Sequence, residues 1–341
     1  MRRSTKIWMT IAGGLLAAGI VILLVGHAMG GYDTVRNWVE NGELSWSFGF
    51  HGLSYRDSVK FNNKYPTYEG DVARTRIEGA GQIERLRLDA GGGLIRIQTS
   101  EDGGYWFSSD NAKEYQCYAE SGSIELRVKG GTWVNNHSYD HVITLWLPKD
   151  ESYREIDLDI GGGILSVETL SGDEISVDAG GGRIEAEALI GNQIEMDLGA
   201  GEIAVQRVEA DRFTVDVGAG EIKVDELGAD KLKTAIGAGQ ITLSNSTVHE
   251  ADISVSMGQI LYQGTVTGDL EANCSMGQIN LELDGKKEDH NYVIDCSMGE
   301  IKLDGDNFGG MGASQTISNG ADSDFELECS MGGIVVKFGQ S

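Results

Sequence analysis

Proline is nearly absent from this chain, occurring only at Pro66 and Pro148 among 341 residues, whereas glycine occurs 49 times. Glycine without proline and without a three-residue period excludes collagen, and an apolar content of 40% excludes a disordered chain. What remains is a protein of many short strands joined by tight turns that need positive φ. Cations are also scarce. With Arg2, Arg3 and Lys6 set aside, the rest of the chain carries 24 lysines and arginines against 53 acidic residues, a net −29. Such a surface repels polyanions, so nucleic acid and anionic lipid headgroups are not expected as partners of the main domain. There are four cysteines and no Cys-x-x-Cys pair, no Ser-His-Asp order and no nucleotide-binding glycine loop.

One long apolar run is present. It follows Arg2-Arg3-Ser4-Thr5-Lys6 and extends from Ile7 to Val25 without a charge. As a helix it would reach roughly 28 Å, near the hydrocarbon thickness of a bilayer. A cytoplasmic tail over 1–6 and a transmembrane anchor over 7–26 are therefore expected, with the basic flank inside and the rest outside the membrane. A cleaved signal peptide ending near Gly26-His27-Ala28 is the alternative. Residues 27–75 hold Trp38, Trp46, Phe48, Phe50, Tyr55, Phe61, Tyr65 and Tyr68. They are expected to form a membrane-proximal stalk that caps the first turn of the repeat. A short interfacial helix through Val35, Trp38 and Val39 is the other reading.

The remainder, 76–341, is dominated by self-similarity, which has to be recognised before any local assignment. Gly163, Gly182, Gly201, Gly220, Gly239, Gly258 and Gly277 stand 19 residues apart, each followed two residues later by Leu or Ile. The series resumes at Gly299 and Gly332 after insertions near 284–290 and 304–322, and Gly93 fits the same frame upstream. Registering the seven regular repeats on their glycines gives four core columns, at five and three residues before each glycine and two and four after it. They hold 27 apolar residues in 28 positions, against about 11 expected from overall composition; Thr234 is the exception. Polar residues alternate with them, as in strands with one buried face. The pattern predicts an all-β, single-stack parallel β-solenoid of 19-residue coils, β-helix-like, preceded by one N-terminal transmembrane helix. Residues 76–155 form irregular first coils and 156–341 regular ones. A stack of antiparallel hairpins is the architectural rival.

The segments Val142-Ile-Thr-Leu-Trp-Leu-Pro148 and Ile160-Gly-Gly-Gly163, with the Gly-Ala-Gly and Ser-Met-Gly turns that follow, resemble a bacterial β-strand-repeat family of envelope proteins labelled "putative adhesins", a family whose domain has no assigned function. The resemblance covers about residues 75–339. It implies a right-handed β-helix-like fold at the envelope of a bacterium, most often one with a single membrane, and supplies no catalytic residues.

Three side-chain sets are candidates for chemistry. Asp159, Asp178, Asp197 and Asp216 occupy one outward column, where Ca²⁺ would relieve carboxylate repulsion of around 1 kcal/mol per neighbouring pair in water. An acidic solvent face neutralised by salt or by Arg183 and Lys223 is the simpler reading. Cys274, Cys296 and Cys329 share a column, with Met276, Met298 and Met331 two residues after each. Soft ligands in that array suit Cu(I), but the cysteines replace Ile, Val and Leu, so buried thiols with methionines filling the turn are expected, and Cys117 is expected to be similar. His137, Asp140 and His141 are read as surface residues of a loop. No catalytic or cofactor residues are expected, and the chain is read as a non-enzymatic cell-surface binding or scaffolding module for an envelope glycan or protein. An accessory role in envelope-stress sensing through a membrane partner is the alternative, and a β-helix polysaccharide-active enzyme is a more distant one.

Overall fold

The computed structural model describes residues 59–129, 142–309 and 312–339. Along the chain the strands are β1 (Tyr68–Arg76), β2 (Arg85–Ala90), β3 (Leu94–Ser100), β4 (Trp106–Glu120), β5 (Ser123–Val128), β6 (Val142–Pro148) and β7 (Tyr153–Ile160). Then come β8 (Ile164–Ala179), β9 (Gly182–Val266), β10 (Leu270–Asp284), β11 (Asn291–Leu303), β12 (Asp306–Gly309), β13 (Ala313–Ile317) and β14 (Asp324–Gly339). β9 is extended throughout and passes through four successive glycine turns.

The 19-residue spacing sets the register of the central rungs. Gly277 stands beside Gly258, Ile279 beside Ile260, and Val177 beside Met196, all in parallel pairs. The four core columns line one continuous apolar interior. Leu158, Met196, Ile203, Val224, Ile241, Ile260 and Ile279 are at most 1% exposed. Each such side chain contributes roughly 1.5–3 kcal/mol by leaving water, which is why the pattern holds along the whole repeat. Thr234, the one polar residue in the columns, is also buried, and its hydroxyl has no hydrogen-bond partner. Thr234→Val is therefore expected to stabilise the protein by about 1 kcal/mol, because it removes an unsatisfied hydroxyl at constant shape. Urea unfolding measures it, and an unchanged or lowered midpoint would contradict the assignment.

The expected single-stack parallel β-solenoid is corrected by the sheet topology. All fourteen strands join one mixed sheet that wraps a single core as a closed all-β body with extra strands at both ends. Strand order departs from chain order at each end. β2 lies between β5 and β7, and β3 between β6 and β8, so the segment after β3 doubles back to the outer side of the first rung. At the other end β14 enters between β10 and β11, although β11 precedes it in the chain. Antiparallel strands cover both ends: β4 pairs with β1, β5 and β6, and β11 carries β12 and β13. The physical reason is that matching columns fix register but not order. Cys329 fits as well beside Cys274 as beside Cys296, and the antiparallel strands occupy rung edges that would otherwise template further pairing.

The 304–322 insertion supplies β12 and β13, and the segment near 284–290 holds a 3-10 turn over Lys287–Asp289. The end near β1 is closed by an aromatic group: Tyr68 lies 4.9 Å from Phe107 and 5.5 Å from Tyr115, ring centre to ring centre. Among the described residues no helix is long and apolar enough to cross a membrane. The expected anchor over 7–26, and most of the expected stalk over 27–75, lie outside the described residues.

Candidate binding groove on the glycine edge

The glycine column is the structural feature that builds a site. Gly220 has φ +147°, and a Cβ placed on it would overlap the carbonyl oxygen of Gly201 one rung away. Gly182, Gly201, Gly239, Gly258 and Gly277 share this close approach. Because no side chain can stand on these positions, successive turns leave an open groove of about 1060 Å³ along one edge of the body, from Gly182 to Gly277. Five steps of about 4.8 Å give it a length of roughly 24 Å.

One wall consists of the residues that follow each glycine. It begins charged, with Arg183, Glu202 and Glu221, and becomes neutral at Gln240, Gln259 and Gln278. Arg183 bonds Glu202 on the next rung at 3.0 Å and Glu185 on its own at 2.9 Å, so one cation is shared by two carboxylates and the charged end stays acidic. The residues before each glycine form the neighbouring column in the chain: Gly181, Ala200, Ala219 and Ala238, then Met257 and Met276. The wall after the glycines thus offers a repeating series of carboxylate and amide groups at one spacing, beside a bare backbone floor. The groove was not visible in the sequence as a site, since a missing side chain has no chemistry of its own; the glycine period was its only signal.

The sequence candidates fall elsewhere. Asp159, Asp178 and Asp197 are in register on adjacent strands, and Asp89 extends the column on the far side of Asp159. Asp216 is half-buried, and desolvation raises its carboxyl above the ordinary range, partly offset by the Lys233 charge. The column is real, yet among the described residues no group of three or more His, Cys, Asp or Glu side chains is placed to hold a metal ion. Cys274, Cys329 and Cys296 stack in that order, buried and unbridged. Burial pushes all three thiols up, and the middle one, Cys329, reaches about 12. Cys117 is likewise a buried free thiol, but on antiparallel β4, opposite Leu126. The methionines depart from expectation. They do not fill the turn but face outward: Met257, Met276, Met298 and Met331 are 43–52% exposed. His137, Asp140 and His141 lie outside the described residues.

The profile of the Toastrack DUF4097 family matches residues 83–323, most of the chain and the strands from β2 to β13. The chain belongs to the Toastrack DUF4097 family. This is a family whose domain has no assigned function, in agreement with the resemblance read from the glycine turns. Among solved structures, a chain described as a "putative adhesin" from Bacteroides fragilis is similar over 81% of this chain and 98% of its own, at 14% identity and a TM-score of 0.43. A "putative adhesin" from Parabacteroides distasonis covers the same shares at 10% identity and a TM-score of 0.42. A "putative lipid binding protein" from that organism covers 80% and 97%, at 13% identity and a TM-score of 0.36. No curated protein matches the chain.

Proposed function

We propose that this Toastrack domain is a non-catalytic binding module displayed outside the cell membrane, where it holds a linear, uncharged, hydroxyl-rich polymer of the envelope, a neutral glycan, along the glycine-edge groove. The observation that carries this reading is the groove itself. It is long, shallow and repetitive, which suits an extended chain held at many weak points better than a compact substrate held at one. Gln240, Gln259 and Gln278 each present a donor and an acceptor, the pairing that sugar hydroxyls need. The net −29 beyond the N-terminal tail disfavours polyanionic wall polymers. The basic flank and apolar run at the N-terminus support display outside the membrane.

The test is binding of the full-length chain to an array of neutral, cationic and anionic glycans, beside a variant with Gln240→Ala, Gln259→Ala and Gln278→Ala. Wild type is expected to bind neutral glycans, and the triple variant to bind on the order of 100-fold more weakly, about 1 kcal/mol for each lost hydrogen bond. Equal binding by both proteins, or no retention of any glycan, would overturn the reading.

A further inference from the structure

The four exposed methionines form a single file. Met257 stands beside Met276, Met276 beside Met331, and Met331 beside Met298, each pair in parallel register. Apart from Val293, these four are the exposed large hydrophobic side chains among the described residues. The fold does not require bulk in this column, because earlier rungs place Gly181, Ala200, Ala219 and Ala238 there. Large unbranched side chains exposed where small ones suffice call for an explanation beyond packing. The shared feature is sulfur, since no Leu, Ile or Phe appears in the exposed file.

We infer that the Met257–Met276–Met331–Met298 file is a binding site for a soft monovalent metal ion, Cu(I) or its analogue Ag(I). Thioethers are soft, uncharged ligands that favour Cu(I) over Zn²⁺, Ca²⁺ or Mg²⁺. A metal–sulfur bond of roughly 2.3 Å on each side spans about 4.6 Å, close to the 4.8 Å between adjacent rungs, so neighbouring thioethers can share one ion without moving the backbone. Methionine's three rotatable bonds let a third sulfur close in from the next rung. The acidic surface of the domain adds a long-range attraction for any cation. The cysteine column one turn inward is not the ligand set: its thiols point into the core and are held protonated by burial. The ion enters and leaves as a d¹⁰ cation, so no group is oxidised or reduced. This site differs from that of the glycan reading, for it uses the methionine sulfurs of the column before the glycines and not the glutamine amides of the column after them.

The file makes a prediction that a general apolar patch does not. Replacing the inner pair, Met276→Leu with Met331→Leu, leaves Met257 and Met298 three rungs and roughly 14 Å apart, too far to share an ion. Replacing the outer pair, Met257→Leu with Met298→Leu, leaves two adjacent thioethers. Leucine preserves size and hydrophobicity at these surface positions, so both variants should fold. Ag(I) titration of the full-length protein under thiol-free conditions is expected to show about one tightly bound ion for wild type, retained binding for the outer variant and none for the inner. A third variant, Cys274→Val, Cys296→Val and Cys329→Val, places in the column the residue type that Val255 already supplies, and should bind as wild type does. Absence of Ag(I) binding, equal binding by the two methionine variants, or loss of binding in the cysteine variant would each overturn the inference.

Discussion

Gly220→Ala is expected to destabilise the domain by about 3 kcal/mol or more, although it adds a single methyl group at the surface. Two effects add. The backbone at Gly220 has φ +147°, which side-chain-bearing residues rarely adopt, and the new Cβ would collide with the carbonyl oxygen of Gly201. That carbonyl belongs to a rung fixed on both sides by parallel pairing, so it cannot yield without disturbing its neighbours. Glu221→Ala, one residue along and on the exposed wall, should by contrast change stability by no more than about 0.5 kcal/mol. Midpoints of urea unfolding for the two variants decide the matter. If Gly220→Ala unfolds like wild type, the close stacking of glycine turns is wrong, and the bare floor of the groove with it.

Phe325→Ala is expected to cost about 3–5 kcal/mol, in the range for emptying an aromatic site in a packed core. Phe325 is fully buried, with its ring 4.0 Å from His290 and edge-on to Tyr292 at 5.7 Å. Both of these partners are contributed by the β11 side of the end rungs. The location of the damage is as informative as its size. Because β14 lies between β10 and β11, loosening it should also release β11 and the antiparallel β12 and β13 that it carries. Amide exchange across 291–317 should therefore accelerate together with that of 324–339. Faster exchange confined to 324–339 would show that β14 sits at the outside of the sheet and not within it.

Those two variants mark the boundary of what the sequence makes legible. Periodicity reveals the buried columns because each of Ile203, Ile222, Ile241 and Ile260 meets the same requirement one rung apart. It reveals register for the same reason. Order is invisible to it: Phe325 could pack on any rung whose columns match, and the chain path around β12 and β13 decides where it goes. Face is also misread at the turns. Cys274 and Met276 differ by two residues, which in a strand would put both inside, but the glycine turn interrupts the alternation and leaves Ser275 and Met276 both exposed. The aspartate column was legible as geometry, and its extension to Asp89 follows from the placement of β2 beside β7. The groove needed the structure, because it is an absence repeated across rungs.

Hydrogen-exchange mapping of the full-length protein with and without a neutral envelope glycan fraction tests the central claim most directly. Binding along the glycine edge predicts slowed exchange at the turns between 182 and 278, strongest around Gln240, Gln259 and Gln278, with the Asp89–Asp159–Asp178–Asp197 face unchanged. Protection on that aspartate face, or none anywhere at saturating glycan, would contradict the assignment of the groove as the ligand-binding edge.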